Sequence, residues 1–184
     1  MTTTSPITQR LDLPAGGRYR LDPDRCEVAF RTRHLFGLAV VAGTMQVTSG
    51  EILLGRTLPR ASVTATISTS SFNTGNGHRD RDVRSAKFLH ADAYPELTFQ
   101  AQALDQAHHR WMLTGELTVR NVRQPVTLAI ESVNRTDDGF QARATTRIDR
   151  YAFGVKAARG MAGRFLDLSI TVTAAPHAPH DPVS

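Results

Sequence analysis

Apolar and polar residues alternate with a period of two along most of this 184-residue chain. The run from Ala61 to Ser68 reads Ala-Ser-Val-Thr-Ala-Thr-Ile-Ser, so that apolar and hydroxyl side chains take turns. Because successive side chains of a strand point to opposite faces, such a run predicts a strand with one apolar and one wet face. Similar runs occur at about residues 26–32, 41–47, 97–103, 111–119, 126–130, 140–148 and 166–174.

About eight such strands favour an antiparallel sheet, because strands of parallel sheets are usually buried on both faces. A sandwich and a closed barrel both satisfy this pattern. The strands are long and mostly joined by short hairpins, and an up-and-down barrel leaves no edge exposed. The sequence therefore predicts an all-β protein built as an eight-stranded antiparallel barrel.

One segment departs from the strand pattern, at about residues 78–90. Its apolar residues Val83, Ala86 and Leu89 recur at a helical spacing. Acidic residues lie early in the segment and basic residues late, which suits the helix dipole. We expect one short helical insertion here, between the fourth and fifth long strands.

Both ends of the chain have the composition of tails. Residues 1–17 are rich in Thr, Pro and Gly, and residues 176–184 contain three prolines. Proline at that density is incompatible with a sheet or helix interior. The sequence therefore predicts flexible tails at 1–17 and 176–184 around a single domain at 18–175.

Small residues occupy many positions in the apolar phase of the strands, among them Ala65, Ala101 and Ala144. A barrel of eight strands is either filled by its own side chains or holds one small ligand. Small inward residues favour a cavity, but they also suit a solid core in which they offset Phe30 and Phe99. The pattern of residues leaves both outcomes open.

Several functions are disfavoured by what the sequence lacks. No apolar stretch reaches the length of about 20 residues that a membrane helix needs. The first residues form no apolar signal core, so we expect a cytoplasmic protein.

The single cysteine, Cys26, permits no internal disulfide and no cysteine-based zinc site. Its position in the alternating pattern places it in the core.

An enzyme is disfavoured by the absence of a Gly-x-Ser-x-Gly elbow, a phosphate loop or a dinucleotide fingerprint. The histidines lack the spacing of metal ligands, so no metal site is predicted. The net charge of +5 favours anionic partners, whether phosphates, acidic lipid surfaces or nucleic acid. Because the arginines are scattered and no aromatic stacking platform is evident, we expect no specific nucleic-acid binding.

Short motifs follow one another in a characteristic order: Tyr19–Asp22, His34–Gly37, Arg79-Asp80, Tyr94–Phe99 and Ile148–Val155. With these motifs the chain resembles the YceI-like family of lipocalin-like β-barrels over about residues 18–175. The resemblance implies an extended barrel with an elongated apolar cavity. It also implies a long-chain amphiphile as ligand: a polyisoprenoid, an isoprenoid quinone or a fatty acyl compound such as a fatty amide.

We accordingly expect the cavity to be lined by residues of the inward phase and by one loop residue, Phe153. This set comprises Val28, Phe30, Val63, Ala65, Ile67, Phe99, Ala101, Leu113, Leu117, Leu128, Ala144, Ile148, Phe153, Leu168 and Ile170.

Three polar residues are candidates for binding the ligand's head group: His34, Arg79 and Arg150. Each has a structural alternative. His34 could bond to backbone at the barrel rim, Arg79 could pin the helix over the barrel end, and Arg150 could satisfy loop carbonyls.

The prediction is therefore a non-catalytic binding or carrier protein for an amphiphile, with no cofactor other than a bound lipid-like ligand. The alternatives are a basic β-domain that binds nucleic acid and an uncharacterised small hydrolase. Expected partners are the apolar ligand and, transiently, an anionic membrane surface. We expect a monomer or a homodimer.

Overall fold

The computed structural model describes residues 11–34, 38–56, 60–107 and 110–177. It contains nine strands and one α-helix in the described residues, together with a short 3₁₀ turn at Pro23–Arg25. The all-β prediction is confirmed. The elements are β1 (Gly17–Leu21), β2 (Glu27–His34), β3 (Ala39–Leu54), β4 (Ala61–Ser68), α1 (Gly77–Arg84), β5 (Glu96–Ala107), β6 (Arg110–Val119), β7 (Val122–Thr136), β8 (Gly139–Asp149) and β9 (Phe165–Pro176).

The strands close into an antiparallel barrel. From β2 to β9 each strand pairs with the next one in the chain, and β2 also pairs with β9. Strand β1 also lies between β3 and β9 and pairs with both, farther along these two strands than β2 does. Strands β1 and β2 are thus one interrupted strand, and nine strands occupy eight positions. The predicted eight-stranded barrel is confirmed, and the sandwich is excluded.

The interruption between β1 and β2 follows from the sequence Asp22-Pro23-Asp24. Pro23 fixes its own φ and has no N–H to donate to a neighbouring strand. The side chain of Asp22 accepts a hydrogen bond from the Asp24 amide at 3.1 Å, which caps the 3₁₀ turn. The chain returns to extended backbone at Cys26.

Strands β3, β5 and β7 each contain a shift in pairing register, between Val47 and Ser49, Ala101 and Ala103, and Ile130 and Ser132. An extra residue at such a bulge moves the following side chains to the other face. In β5 this makes Ala103 exposed and Leu104 buried. The alternating run at about residues 97–103 predicted Ala103 on the same inner face as Leu97, Phe99 and Ala101, and that prediction is wrong.

The helix is shorter than the predicted 78–90 segment and ends at Arg84, after which the chain continues in turns. Asn76 caps its first turn by accepting a hydrogen bond from the Arg79 amide. The buried Asp80 carboxylate accepts from the amide and the hydroxyl of Thr74. These bonds attach the start of the helix to the loop that follows β4.

The segment before β1 packs against the barrel, although the sequence analysis places it in a tail. The Asp12 amide donates to the Val133 carbonyl at 3.2 Å, and the Arg135 guanidinium donates to the Leu13 carbonyl at 3.0 Å. At the other end of the chain Pro176 belongs to β9. The rest of both predicted tails, residues 1–10 and 178–184, lies outside the described residues. No described helix has the length and apolar character of a membrane span.

Candidate ligand cavity

The barrel encloses a cavity of about 200 Å³. Among the residues that line it, Thr146 alone is polar within the described part of the chain. The cavity exists because inward positions such as Ala65, Ala142 and Ala144 carry methyl groups where a filled core would need larger side chains. The sequence left open whether the barrel has a solid core or a cavity, and the structure shows a cavity.

A second cavity of about 410 Å³ lies at the end of the barrel, beneath α1 and the loop between β8 and β9. Its apolar wall includes Phe72, Val83 and Phe153. The two cavities share four lining residues, so they adjoin and together follow the long axis of the barrel. The shared residues are Leu97, Leu117, Ile148 and Leu168.

Most of the predicted lining residues lie at the barrel cavity. These are Val28, Val63, Ala65, Ile67, Phe99, Leu113, Leu117, Leu128, Ala144, Ile148, Leu168 and Ile170. Phe30 and Phe153 line the second cavity instead.

Ala101 is the predicted residue that lines neither cavity, although it is buried. It lies beside the bulge of β5 and opposite Gly115 of β6. A methyl group placed on Gly115 would come within 2.7 Å of the Ala101 Cβ. Ala101 therefore packs closely against β6 and borders neither cavity.

Sequence reasoning missed the residues that close the far end of the barrel. Leu11, Leu13 and Pro14 line the cavity there, in the segment that precedes β1. The hydroxyl of Tyr19 donates to the Ala15 carbonyl at 2.7 Å, which helps to hold this segment in place. The apolar alternation of Leu11 and Leu13 was the available signal, but two residues are too short a run to distinguish a packed segment from a tail.

Arg79 lies at the polar end of the second cavity. Its Nε donates to the Thr74 hydroxyl at 2.8 Å, and that hydroxyl donates in turn to Asp80 at 2.6 Å. This chain of hydrogen bonds supports the predicted structural role for Arg79. The Nη1 group makes no hydrogen bond to a described residue, so Arg79 also keeps donors for a ligand in the cavity that it lines.

Arg150 is buried and holds the loop between β8 and β9. It donates to the carbonyls of Val155, Ala162 and Gly163 at 2.6, 3.0 and 2.7 Å. Its guanidinium also lies over the Tyr151 ring, and burial lowers its pKa from the ordinary value. These contacts fit the structural alternative, in which Arg150 satisfies loop carbonyls. His34 ends β2, and its side chain lies outside the described part of the structure.

Cys26 is buried and belongs to the core, as its phase suggested. Its Sγ lies 3.5 Å from the Thr173 carbonyl and accepts from the Thr173 amide at 3.3 Å. Burial raises the pKa of this thiol, so it stays protonated and poorly nucleophilic. Among the described residues no group of His, Cys, Asp and Glu is arranged to hold a metal ion.

A family model and individual relatives both place this chain in the same protein family. Residues 19–174 match the YceI-like domain. Protein YceI of Shigella flexneri and that of Escherichia coli O157:H7 are each 32% identical to this chain over 164 residues, covering 84% of both partners.

Solved structures share the fold. BcnA of Burkholderia cenocepacia aligns with a TM-score of 0.73 at 18% identity, over 84% of this chain and 99% of its own. A polyisoprenoid-binding domain from Saccharophagus degradans aligns with a TM-score of 0.67 at 12% identity, over 86% and 98% of the two chains.

Proposed function

Because this chain belongs to the YceI-like family, we propose that it binds one long-chain amphiphile inside its barrel and acts as a carrier without catalysis. The ligand class is a polyisoprenoid, an isoprenoid quinone or a fatty acyl compound. The polyisoprenoid-binding domain with the same fold supports the first of these.

One observation carries this proposal: two adjoining apolar cavities follow the barrel axis, and among the described residues charged side chains line the second cavity but not the barrel cavity. The barrel cavity suits a hydrocarbon tail, which gains nothing from polar contacts. The second cavity has Arg79, His78 and Asp82 at its edge, and these suit a polar head. An amphiphile bound in this direction would satisfy both regions.

The energy of binding would come mainly from the tail. Removing a CH₂ group from water contributes about 0.8 kcal/mol, so a five-carbon isoprene unit contributes about 4 kcal/mol before ordering costs. A few units therefore suffice for tight binding. The head group would chiefly set the direction of the ligand.

The proposal includes no reaction of the bound ligand. His78 and Asp82 at the edge of the second cavity lie 3.8 Å apart, but the described residues that line the two cavities include no serine, cysteine or lysine that such a pair could activate. A cytoplasmic location and a monomeric or homodimeric state remain predictions from the sequence.

The decisive experiment is mass spectrometry of organic extracts from gently purified protein. We expect an apolar compound with a polar end, present near one molecule per chain. The Ala65→Phe variant, purified in parallel, fills the barrel cavity and should carry much less of it. An empty wild-type protein that also fails to bind isoprenoid alcohols and fatty amides in solution would contradict the proposal.

A further inference from the structure

Large exposed apolar side chains are concentrated at one end of the barrel. Of the five that stand out in the described residues, four lie there: Leu38, Val40, Met161 and Phe165, with 88, 62, 57 and 46% of their surface exposed. The fifth, Leu53, lies near the opposite end of β3. Scattered exposed apolar residues need no explanation, but four at one end of a barrel do.

These residues belong to the hairpin of β2 and β3, to the start of β9 and to the loop that precedes β9. Val40 is the register partner of Arg33, and both line a surface depression that also includes Arg31 and Phe165. The Thr32 hydroxyl donates to the Phe165 carbonyl at 2.7 Å, which fixes the two elements to each other. We call the surface formed by Leu38, Val40, Met161, Phe165, Arg31 and Arg33 the hairpin-end patch.

The hairpin-end patch also has a surplus of positive charge. Arg147 and Arg164 beside it are neutralised by Asp167 and Asp149. Arg31 and Arg33 form no ion pair within 4.0 Å of a described residue, although Arg33 lies close enough to Asp167 to help lower its pKa, and Lys156 and Arg159 of the neighbouring loop form none either. Exposed apolar side chains beside a surplus of positive charge are complementary to the interface of an anionic bilayer.

The patch lies next to the second cavity. Met161 lines that cavity while most of its side chain is exposed, and Thr32 lines both the cavity and the surface depression. A surface that contacts a bilayer at this place would bring the end of the ligand space to the membrane.

We propose that the hairpin-end patch docks this protein on an anionic phospholipid bilayer, so that an amphiphile passes between membrane and cavity beneath α1. The route of transfer rests on the proposed function, whereas the docking itself does not. Leu38, Val40, Met161 and Phe165 enter the bilayer interface, and Arg31 and Arg33 contact lipid phosphates. An acidic protein surface is the competing partner.

The test is co-sedimentation with vesicles of phosphatidylcholine alone and of equal parts phosphatidylcholine and phosphatidylglycerol. We expect binding to the anionic vesicles that weakens as salt rises. The Arg31→Gln, Arg33→Gln double variant should bind about 25-fold less well, at about fivefold for each arginine. Val40→Glu should weaken binding about tenfold or more, because an apolar contact is replaced by a negative charge.

The control positions lie outside the hairpin-end patch. Leu53→Glu makes the same chemical change on the same strand, and Arg20→Gln with Arg143→Gln removes the same charge from exposed strand positions. These variants should bind vesicles nearly as well as the wild type. Circular dichroism melting curves check that all variants are folded.

Binding of a fluorescent isoprenoid in vesicle-free solution separates the two proposals. If the patch variants still bind the isoprenoid but no longer bind the anionic vesicles, docking is supported. Equal vesicle losses for Val40→Glu and Leu53→Glu would overturn the assignment of the patch. A wild type that binds the isoprenoid but neither vesicle at low salt would overturn membrane docking and leave an acidic protein as partner. A wild type that docks but never binds an amphiphile would contradict the proposed function alone.

Discussion

At the scale of single residues, Ala65 and Ala101 have the same side chain but different surroundings. Ala65 lines the barrel cavity, whereas Ala101 packs against Gly115 on the neighbouring strand. The same enlargement should therefore act on ligand binding at one position and on folding at the other.

We predict that Ala65→Phe lowers the affinity for an apolar ligand and leaves the melting temperature near that of the wild type. Its ring enters open volume, so little needs to move. Ala101→Phe overpacks a site without space and should cost about 1–3 kcal/mol of unfolding free energy. Fluorescent-ligand titration and thermal melts measure the two effects. Similar destabilisation by both variants would mean that the barrel cavity is not open.

Arg79 combines two roles that substitution can separate. It supports the start of α1 through Thr74, and it faces the polar end of the second cavity. A charged head group would use the second role, because hydrogen bonds between a guanidinium and a phosphate are stronger than neutral ones.

We predict that Arg79→Ala weakens binding of a phosphorylated isoprenoid by about 1.5–3 kcal/mol and barely changes binding of the matching alcohol. Thr74→Val is the control, since it removes the hydroxyl that bonds to Arg79 and Asp80 but keeps the cation. Isothermal titration with both ligands gives the comparison. Equal losses for the phosphate and the alcohol, with a lower melting temperature, would assign Arg79 to structure only.

At the scale of elements, the end of β8 is fixed to the start of β9 by an ion pair. The Asp149 carboxylate accepts two hydrogen bonds from Arg164, at 2.6 and 3.0 Å, and one from the Tyr151 amide. The bonds from Arg164 lower the pKa of Asp149 below its ordinary value of 3.8. Together with Arg150, this pair sets where the loop over the second cavity begins and ends.

A carboxyl group whose pKa is lower in the folded state stabilises the protein above its unfolded pKa. That contribution is lost as the pH falls through the folded pKa. We predict that Asp149→Asn lowers the unfolding free energy at neutral pH and that its difference from the wild type shrinks below about pH 4. Urea unfolding of both proteins between about pH 3 and pH 7 measures this difference in unfolding free energy. The control is Asp92→Asn, because Asp92 is exposed and forms no ion pair with a described residue. A constant difference at all pH values would exclude the ion pair as its source.

At the scale of the whole molecule, the apolar space is covered at both ends by parts of the chain outside the strands. Helix α1 and the loop after β8 cover one end. The segment with Leu11 and Leu13 covers the other, held by Arg135 through the Leu13 carbonyl and the Asp12 carboxylate. Neither cover contributes a strand to the barrel, so each can change without breaking the closed ladder of hydrogen bonds.

We predict that Leu11→Ser with Leu13→Ser speeds ligand release several-fold and lowers the melting temperature only slightly. The two hydroxyl side chains remove apolar contacts from the cover but leave the strands intact. Stopped-flow dilution of a bound fluorescent isoprenoid measures the rate. Leu53→Ser, at an exposed position of β3, is the control. Unchanged release in the double variant would place the exit solely at the end near α1.

The amino-acid sequence was sufficient to predict the barrel, the inward face of most strands and the family of the chain. Alternation is a local property, because the pleat of a strand sends each side chain to a face that its own polarity must suit. The tertiary structure alone decided that the space inside is open, that Ala101 is excluded from it and that Leu104 replaces Ala103 on the inner face. It also decided that residues 11–14 cover one end. These features depend on register shifts and on contacts between residues far apart in the chain, and no short pattern of residues specifies them.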